Sequence, residues 1–307
     1  EEKVYVSHDG AVESTVLEVL VRHLRKRCEK TKHRGAVTQL VEDDQLWCDC
    51  TIDLHDAVLT EIADFRGATF TNDASFQDAT FNRANFQDAT FNRVDFRGAT
   101  FNGAAGFQGA TFNRVDFRGA TFNGAVGFQG ATFTNDAAGF QGATFTNDAS
   151  FRDATFNRVD FRGATFNRVD FRGATFTNNA SFQDATFNHA GFQDATFTND
   201  ASFQGATFTN DASFQGATFN GAAGFQGATF NRAAGFQGAN FTNDASFQDA
   251  NFTNDANFWD ATFNGAAGFQ GATFNGAAGF QGANFTNDAN LDRKSTRLNS
   301  SHTNLSR

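Results

Sequence analysis

The stretch Ala89-Thr90-Phe91-Asn92-Arg93-Val94-Asp95-Phe96-Arg97-Gly98 decides the fold, because it contains two consecutive copies of a five-residue unit. Each copy has a small residue, a polar residue, Phe and two further polar residues. All 42 Phe of the 307-residue chain lie between Phe65 and Phe285, at steps of five or six residues and a single step of seven. Pro and Met are absent. The composition is therefore that of one short template copied many times.

The spacing within each unit predicts a β-strand with two inward side chains. Residues two apart in an extended segment point to the same side, so Phe and the small residue two positions before it face inward together. The remaining positions are rich in Asn, Asp and Gly, which favour turns. Four such sides would close one coil, and coils would stack at about 4.8 Å.

The inward phase also includes two leucines before the first Phe. The predicted core ladder therefore contains Leu54, Leu59, Phe65, Phe70, Phe76, Phe81, Phe86, Phe91, Phe96, Phe101, Phe161, Phe208, Phe214, Phe263 and Phe285, together with the other Phe of the series. Each buried Phe contributes roughly 1.5 to 3 kcal/mol, which favours a folded rod over a disordered low-complexity segment.

The unit resembles the repeat of the pentapeptide-repeat proteins, whose consensus is Ala-(Asp/Asn)-(Leu/Phe)-X-X. The resemblance covers about Leu54 to Leu291 and implies an all-β solenoid, a right-handed quadrilateral β-helix. From Thr196 onward, steps of five and six alternate as in the Phe-rich subgroup of that family. We expect the sixth residue to form a corner bulge. Coils would then take about 22 residues there and 20 where steps of five prevail, giving about eleven coils and a rod roughly 50 Å long.

Residues 1–51 are predicted to form a helical cap over the first coil. Residues 12–31 have an amphipathic helical pattern with a capping box from Thr15 to Glu18, and a second short helix is predicted from Val37 to Leu46. The apolar side of the first helix comprises Val12, Val16, Leu17, Leu20, Val21 and Leu24. This region is similar to the helical segment before the repeats in actinobacterial members of the family, some of which carry transmembrane helices further upstream.

The chain divides into the cap, the repeat region at 52–291 and a tail at 292–307. The tail breaks the repeat and resembles the translation of a sequencing-library adapter, so we expect it to be non-native and disordered. The absence of Met suggests that Glu1 is an internal residue of a longer protein. No apolar run approaches the ~20 residues of a membrane span. The expected localisation is cytoplasmic, with membrane attachment through a missing upstream segment left open.

No pattern in the sequence indicates a catalytic site, a cofactor or a metal. The cysteines Cys28, Cys48 and Cys50, even with His33, match no zinc spacing, and they are too few for a disulfide framework. The other histidines, His8, His23, His55, His189 and His302, are scattered. The many Gly are interpreted as corner residues. The basic stretch Arg22 to Arg27 is interpreted as a solvated helix face, and no direct nucleic-acid binding is expected.

Two surface patterns offer alternatives to a non-catalytic scaffold that binds a protein partner. The formal net charge is −10, and some pentapeptide-repeat proteins imitate duplex DNA and inhibit or protect DNA gyrase, a type II topoisomerase. Here, however, the acidic series Asp200, Asp211, Asp244, Asp255 and Asp288 is interrupted by Ala. Thr-Phe-Thr segments raise a remote alternative of ice binding, although stacked Thr ladders explain them better. End-to-end self-association through the last coil is also predicted.

Overall fold

The computed structural model describes residues 10–24, 47 and 49–290. One helix, α1, spans Gly10–Leu24. The rest is a parallel β-solenoid of about eleven coils with a four-sided cross-section. Residues paired between neighbouring coils are 20 to 23 positions apart in the first half. They are 22 apart after Thr196, as predicted.

The strands form two sheets, each of which wraps around two sides of the solenoid. The first sheet contains β1 (Ile52–Asp53), β3 (Thr69–Ser75), β5 (Thr90–Asp95), β8 (Thr111–Phe112), β9 (Val115–Asp116), β12 (Thr132–Gly139), β14 (Thr155–Asp160), β16 (Thr175–Phe176), β17 (Ala180–Ser181), β19 (Thr196–Phe197), β20 (Ala201–Ser202), β23 (Thr218–Phe219), β24 (Ala223–Gly224), β27 (Asn240–Phe241), β28 (Ala245–Ser246), β31 (Thr262–Phe263), β32 (Ala267–Gly268), β35 (Asn284–Phe285) and β36 (Ala289–Asn290). The second contains β2 (Val58–Asp64), β4 (Thr80–Asn85), β6 (Thr100–Phe101), β7 (Ala105–Gly106), β10 (Thr121–Phe122), β11 (Val126–Gly127), β13 (Thr144–Ser150), β15 (Thr165–Asp170), β18 (Thr186–Gly191), β21 (Thr207–Phe208), β22 (Ala212–Ser213), β25 (Thr229–Phe230), β26 (Ala234–Gly235), β29 (Asn251–Phe252), β30 (Ala256–Asn257), β33 (Thr273–Phe274) and β34 (Ala278–Gly279).

The Phe rings form four parallel columns inside the solenoid, which we name after their first members, Phe65, Phe70, Phe76 and Phe81. Centroids of consecutive rings in a column are 4.5 to 5.2 Å apart, close to the spacing of hydrogen-bonded strands. Rings of adjacent columns meet at tilted or edge-to-face angles. The predicted inward ladder is thus present throughout the described coils.

Burial of the columns is nearly complete. Of the 42 Phe, all but Phe274, Phe280 and Phe285 of the last described coils are buried, and these three pack against the core. Leu59 is buried and pairs in register with Phe81, while Leu54 is partly buried. The two leucines therefore begin the Phe76 and Phe81 columns.

The four corners of each coil are of two kinds. A tight corner follows each Phe of the Phe65 and Phe76 columns, and its Ala N–H donates to the Phe carbonyl three residues earlier, as from Ala68 to Phe65 (3.1 Å). A wide corner follows each Phe of the Phe70 and Phe81 columns and contains the additional residue of every six-residue step. The strand register shifts there when steps of unequal length stack, as between Phe70 and Asp73. The predicted corner bulge is therefore confirmed at the wide corners.

Helix α1 packs against the first coil, but the predicted capping box lies within the helix. Leu17, Val21 and Leu24 are buried in the same cluster as Ile52 and Leu59. The described helix begins at Gly10, so Thr15 and Glu18 lie inside it and the predicted capping box is wrong. Val16 is 60% exposed because it lies outside the i, i+4, i+7 stripe that contacts the coil. Residues 25–31 and the predicted helix from Val37 to Leu46 lie outside the described residues.

Candidate interaction surface

The outward side chains differ between alternate faces of the solenoid. Each face carries the residue before and the residue after its Phe, because both point away from the core. On the Phe70 and Phe81 faces these positions contain Thr and Asn, apart from Val58, and no charged residue. On the Phe65 and Phe76 faces they contain Asp, Asn, Ser or Gly before Phe, and Arg, Gln, His or Trp after it.

The uncharged faces are built from stacked threonines. Eight consecutive coils place Thr before Phe on each face, from Thr69 to Thr218 and from Thr80 to Thr229. Apart from Thr71, which donates to Asp49, the threonines after Phe donate their hydroxyl to the Phe carbonyl of the preceding coil, as Thr242 does to Phe219 (3.1 Å). The second hydroxyl of Thr-Phe-Thr is therefore directed to the backbone, which supports the interpretation as structural ladders.

The charged faces contain five Asp-Phe-Arg segments in which the two charges neutralise each other. Each Arg donates to both oxygens of the Asp two residues earlier, with the closest N–O distances between 2.5 and 2.7 Å; the pairs are Asp64/Arg66, Asp95/Arg97, Asp116/Arg118, Asp160/Arg162 and Asp170/Arg172. The backbone N–H of the same Arg also donates to the carboxylate, as from Arg162 to Asp160 (3.0 Å). Each Asp ends a strand and its Arg lies in the tight corner that follows, so the bidentate contact holds both side chains in one arrangement.

These contacts change the pKa values of two carboxyl groups. Partial burial raises the pKa of Asp160, but hydrogen bonds from Arg162 outweigh it, so the pKa is lowered from its ordinary value. The pKa of Asp170 is lowered in the same way, because bonds from Arg172 and Arg152 outweigh its desolvation. Both carboxyl groups are therefore ionised at neutral pH.

Gln replaces Arg after Phe wherever Gly precedes Phe. At most of these sites the Gln side chain folds back over that Gly, so a Cβ at Gly224 would contact Gln226; at Gly268 no atom lies within 4 Å, and at Gly279 the neighbour is Trp259. Eight such glycines lie in strands immediately before Phe, which corrects the interpretation of the Gly as corner residues: Gly106, Gly127, Gly139, Gly191, Gly224, Gly235, Gly268 and Gly279. The small residues form the floor of shallow grooves along the Phe65 and Phe76 faces, with Gln and Arg on the walls.

Tight corners require a backbone conformation with positive φ. The residue two after Phe has φ between 54° and 70° in all of them, and it is Gly at fourteen corners and Asp at eight. At seven corners, Gly stacks directly on an Asp of the preceding coil, as Gly98 does on Asp78. A Cβ on that Gly would overlap the Asp carboxylate. Stacked Asp pairs are therefore avoided at tight corners, with Asp56 and Asp78 as the exception.

Wide corners after Thr196 alternate between two complementary sequences. Thr-Asn-Asp in one coil is followed by Asn-Gly-Ala or Asn-Arg-Ala in the next. The backbone N–H of the Ala above donates to the Asp carboxylate of the first, from Ala222 to Asp200 (3.0 Å) and from Ala266 to Asp244 (2.9 Å), with matching bonds to Asp211 and Asp255. The Ala residues that interrupt the acidic series are thus the partners of these Asp residues.

The described residues contain no group of three or more His, Cys, Asp and Glu arranged to bind a metal. Cys50 is a free, exposed thiol, whereas Cys28, Cys48, His8, His33 and His302 lie outside the described part of the chain. His55 pairs with Asp53 (2.8 Å), and this hydrogen bond raises the pKa of His55. His189 is exposed at a wide corner beside Arg168. No helix among the described residues is long and apolar enough to cross a membrane.

Sequence reasoning located the core ladder but missed the pairing of surface residues. The internal signal was present, because every Asp that precedes Phe within the repeats is followed two residues later by Arg. The division between charged and uncharged faces can be recognised only when it is known to which of the four columns each Phe belongs. Residues that are adjacent on a face come from positions about one coil apart in sequence.

Together, the columns of rings and the polar faces define a parallel β-solenoid with a continuous polar surface. The family model described as pentapeptide repeats (9 copies) matches the chain at residues 54–99, 92–132, 128–175, 161–207, 171–218, 182–229, 214–262 and 225–273. The chain belongs to the pentapeptide-repeat family.

Solved structures with similarity to the chain include two named proteins. HetL, a pentapeptide-repeat protein involved in heterocyst differentiation regulation in the cyanobacterium Nostoc sp. strain PCC 7120, is 17% identical with a TM-score of 0.31, covering 80% of this chain and 89% of HetL. QnrB1, a plasmid-mediated fluoroquinolone resistance protein, is 18% identical with a TM-score of 0.19, covering 77% of this chain and 91% of QnrB1. No curated protein matches the chain.

Proposed function

We propose that the chain is a non-catalytic scaffold that presents its polar faces to a protein partner. The observation that carries this proposal is the set of bonded Asp-Phe-Arg pairs on a backbone fixed by the Phe columns. Side chains that are already ordered lose little conformational entropy when a partner binds. The repeat fold supports this general role, and a cytoplasmic location belongs to the same proposal.

Proximity labelling in host cells would test the scaffold function with two matched surface variants. One variant replaces Gln108 and Gln129 of the Phe65 face by Lys, and the other replaces Thr111 and Thr132 of the Phe70 face by Lys. A docked partner should be lost with one variant and retained with the other. If every labelled protein is unaffected by both variants, the face-specific scaffold is excluded.

A second candidate is charge mimicry directed at DNA gyrase, favoured by the acidity of the second half. Beyond Arg172, the repeats contain nine Asp and one Arg. This net charge of −8 extends over roughly 23 Å, about one charge per 3 Å, whereas duplex DNA carries one per about 1.7 Å. The acidic rows are also broken by Gly at tight corners and by Ala at wide corners. The lower density and the broken rows favour the scaffold.

A gyrase supercoiling assay with the purified chain separates the two functions. The scaffold predicts no inhibition and no protection at micromolar concentration. Inhibition that is lost when Asp249, Asp260 and Asp288 are changed to Asn would instead support mimicry. The remote ice-binding alternative predicts thermal hysteresis, which the scaffold does not.

A further inference from the structure

Five wide corners contain an Asn-Gly dipeptide. We propose that these asparagines undergo spontaneous deamidation, a non-enzymatic modification that turns a neutral amide into a carboxylate. This inference goes beyond the scaffold function and does not depend on it. The sites are Asn102-Gly103, Asn123-Gly124, Asn220-Gly221, Asn264-Gly265 and Asn275-Gly276.

The reaction uses only the chain and water. The Gly backbone nitrogen attacks Cγ of the Asn side chain and loses its proton, while the Cγ–Nδ2 bond breaks and ammonia leaves. The new C–N bond closes a succinimide ring. Water then opens the ring at either carbonyl, which gives aspartate or isoaspartate. Gly favours ring closure because it has no Cβ to hinder the attacking nitrogen.

At these corners all five Asn side chains are exposed, while the following Gly are partly buried and Gly221 is buried. The Asn123 amide donates to Asn102 Oδ1 (3.2 Å). Within the described coils, none of the five Gly N–H groups donates a hydrogen bond, whereas neighbouring N–H groups do, as from Asn220 to Phe197 (2.7 Å) and from Ala222 to Asp200 (3.0 Å). The attacking nitrogen can therefore lose its proton without breaking a bond of the solenoid.

The Gly after these Asn lies close to the backbone of the preceding coil. A Cβ at Gly221 would overlap the backbone of Asn199 and Asp200 in the preceding coil, and Gly265 and Gly276 have the equivalent close approach. A residue with a Cβ at these corners would require an adjustment of the preceding coil. The corner at Asn231 also has a six-residue step but carries Arg232 instead of Gly.

Deamidation would change the charge pattern of the second half. Along the Phe70 column, the wide corners alternate between Asp200, Asp244 and Asp288 on one hand and Asn220 and Asn264 on the other. Conversion of these two Asn would place a carboxylate in each of the five coils from Asp200 to Asp288 on that edge. With Asn275, the net charge beyond Arg172 would change from −8 to −11.

Peptide mapping by mass spectrometry tests the proposal on the intact chain. The folded protein is incubated at mildly alkaline pH, and samples are digested briefly and compared with the starting material. Cleavage after Arg yields residues 98–114, which contain both Asn102-Gly103 and the internal control Asn113-Arg114. We expect a mass gain of about 1 Da at Asn-Gly, at least about tenfold faster than at Asn-Arg, with isoaspartate confirmed by enzymatic methylation.

A denatured sample gives the deamidation rate of each Asn when the solenoid is unfolded. If the denatured chain deamidates while the five Asn of the folded solenoid remain unchanged, the corners protect the amides and the proposal is wrong. Equal rates at Asn102 and Asn113 in the folded chain would also overturn it. Substitution of Asn220 by Gln should remove the charge gain at that corner, with the other four sites unaffected.

Discussion

At the residue scale, each Phe combines hydrophobic burial with a fixed position in a column of rings. Phe208, for example, stacks on Phe187 and Phe230 with centroids 4.8 and 4.6 Å away and is 1% exposed. Leu59 and Leu54 occupy equivalent positions where α1 covers the first coil. The inward position of the repeat unit therefore contains Leu instead of Phe in the first coil, where α1 packs against the core.

Replacing Phe208 by Ala should destabilise the solenoid by about 3 to 5 kcal/mol, because a ring-sized cavity opens between two stacked rings. Phe208→Leu should lose less than half as much. Thermal unfolding monitored by circular dichroism measures both variants. Equal losses for Ala and Leu would contradict a cavity as the cause.

Asp244 is a residue whose role at a wide corner depends on one hydrogen bond. Asp244→Ala should cost about 1 kcal/mol, since the Ala266 N–H loses its acceptor. Asp244→Asn retains a side-chain oxygen and should retain most of the stability. If both variants are equally destabilised in chemical denaturation, charge and not the hydrogen bond is responsible.

At the element scale, strand pairing across coils and Arg-Asp pairing between a strand end and the following tight corner act together. Asp170 ends β15 and accepts bonds from Arg172 in its own coil and from Arg152 in the preceding coil (2.7 and 3.0 Å). Pairs of this kind connect neighbouring strands of the Phe65 face. Because each paired Arg neutralises an Asp carboxylate, this face does not present the negative charge that a row of unpaired Asp would give it.

The lowered pKa of Asp170 gives its ion pairs a defined pH dependence. The folded pKa lies below the unfolded value of about 3.9, so the stabilisation is complete above that value and is lost as pH falls through the folded pKa. Asp170→Asn should therefore lower the Tm at neutral pH and converge with the unmodified chain in strong acid. Gln193→Ala on the same face should lower the Tm by an amount independent of pH.

At the scale of the whole molecule, each coil contacts only its neighbours. The free energy of unfolding is therefore the sum of contributions from the coils and from the interfaces between adjacent coils. The central coils have rings above and below, whereas Phe280 and Phe285 have a stacked ring on one side only among the described residues. Local opening should therefore begin at this end.

Hydrogen exchange should show the greatest backbone protection in the middle coils, near Phe161, and the least in β33 to β36. Peptides from both regions can be followed by mass spectrometry in one experiment. Uniform protection along the rod would mean that the solenoid opens as one unit. Earlier exchange in the middle would contradict nearest-neighbour stacking.

End-to-end self-association through the last coil stays a prediction. The partly buried Phe274, Phe280 and Phe285 and the edge strands of that coil are the surface concerned. Light scattering should show mass increasing with concentration, and Phe280→Lys should reduce this increase. A monodisperse monomer at high concentration would contradict the prediction.

The sequence by itself determined the core, because a period of five or six with Phe and a small residue two positions apart has one inward phase. It also located the additional residue of each six-residue step and the leucines that begin two columns. It placed a capping box at Thr15 and Glu18, which lie inside α1, because the pattern of residue types that forms a cap also occurs within helices. Only the tertiary structure decided which Asp are paired with Arg, which accept an N–H from the next coil and which faces are uncharged. These contacts join residues about twenty positions apart, and stacking sets their alignment through the corner lengths of every coil between them.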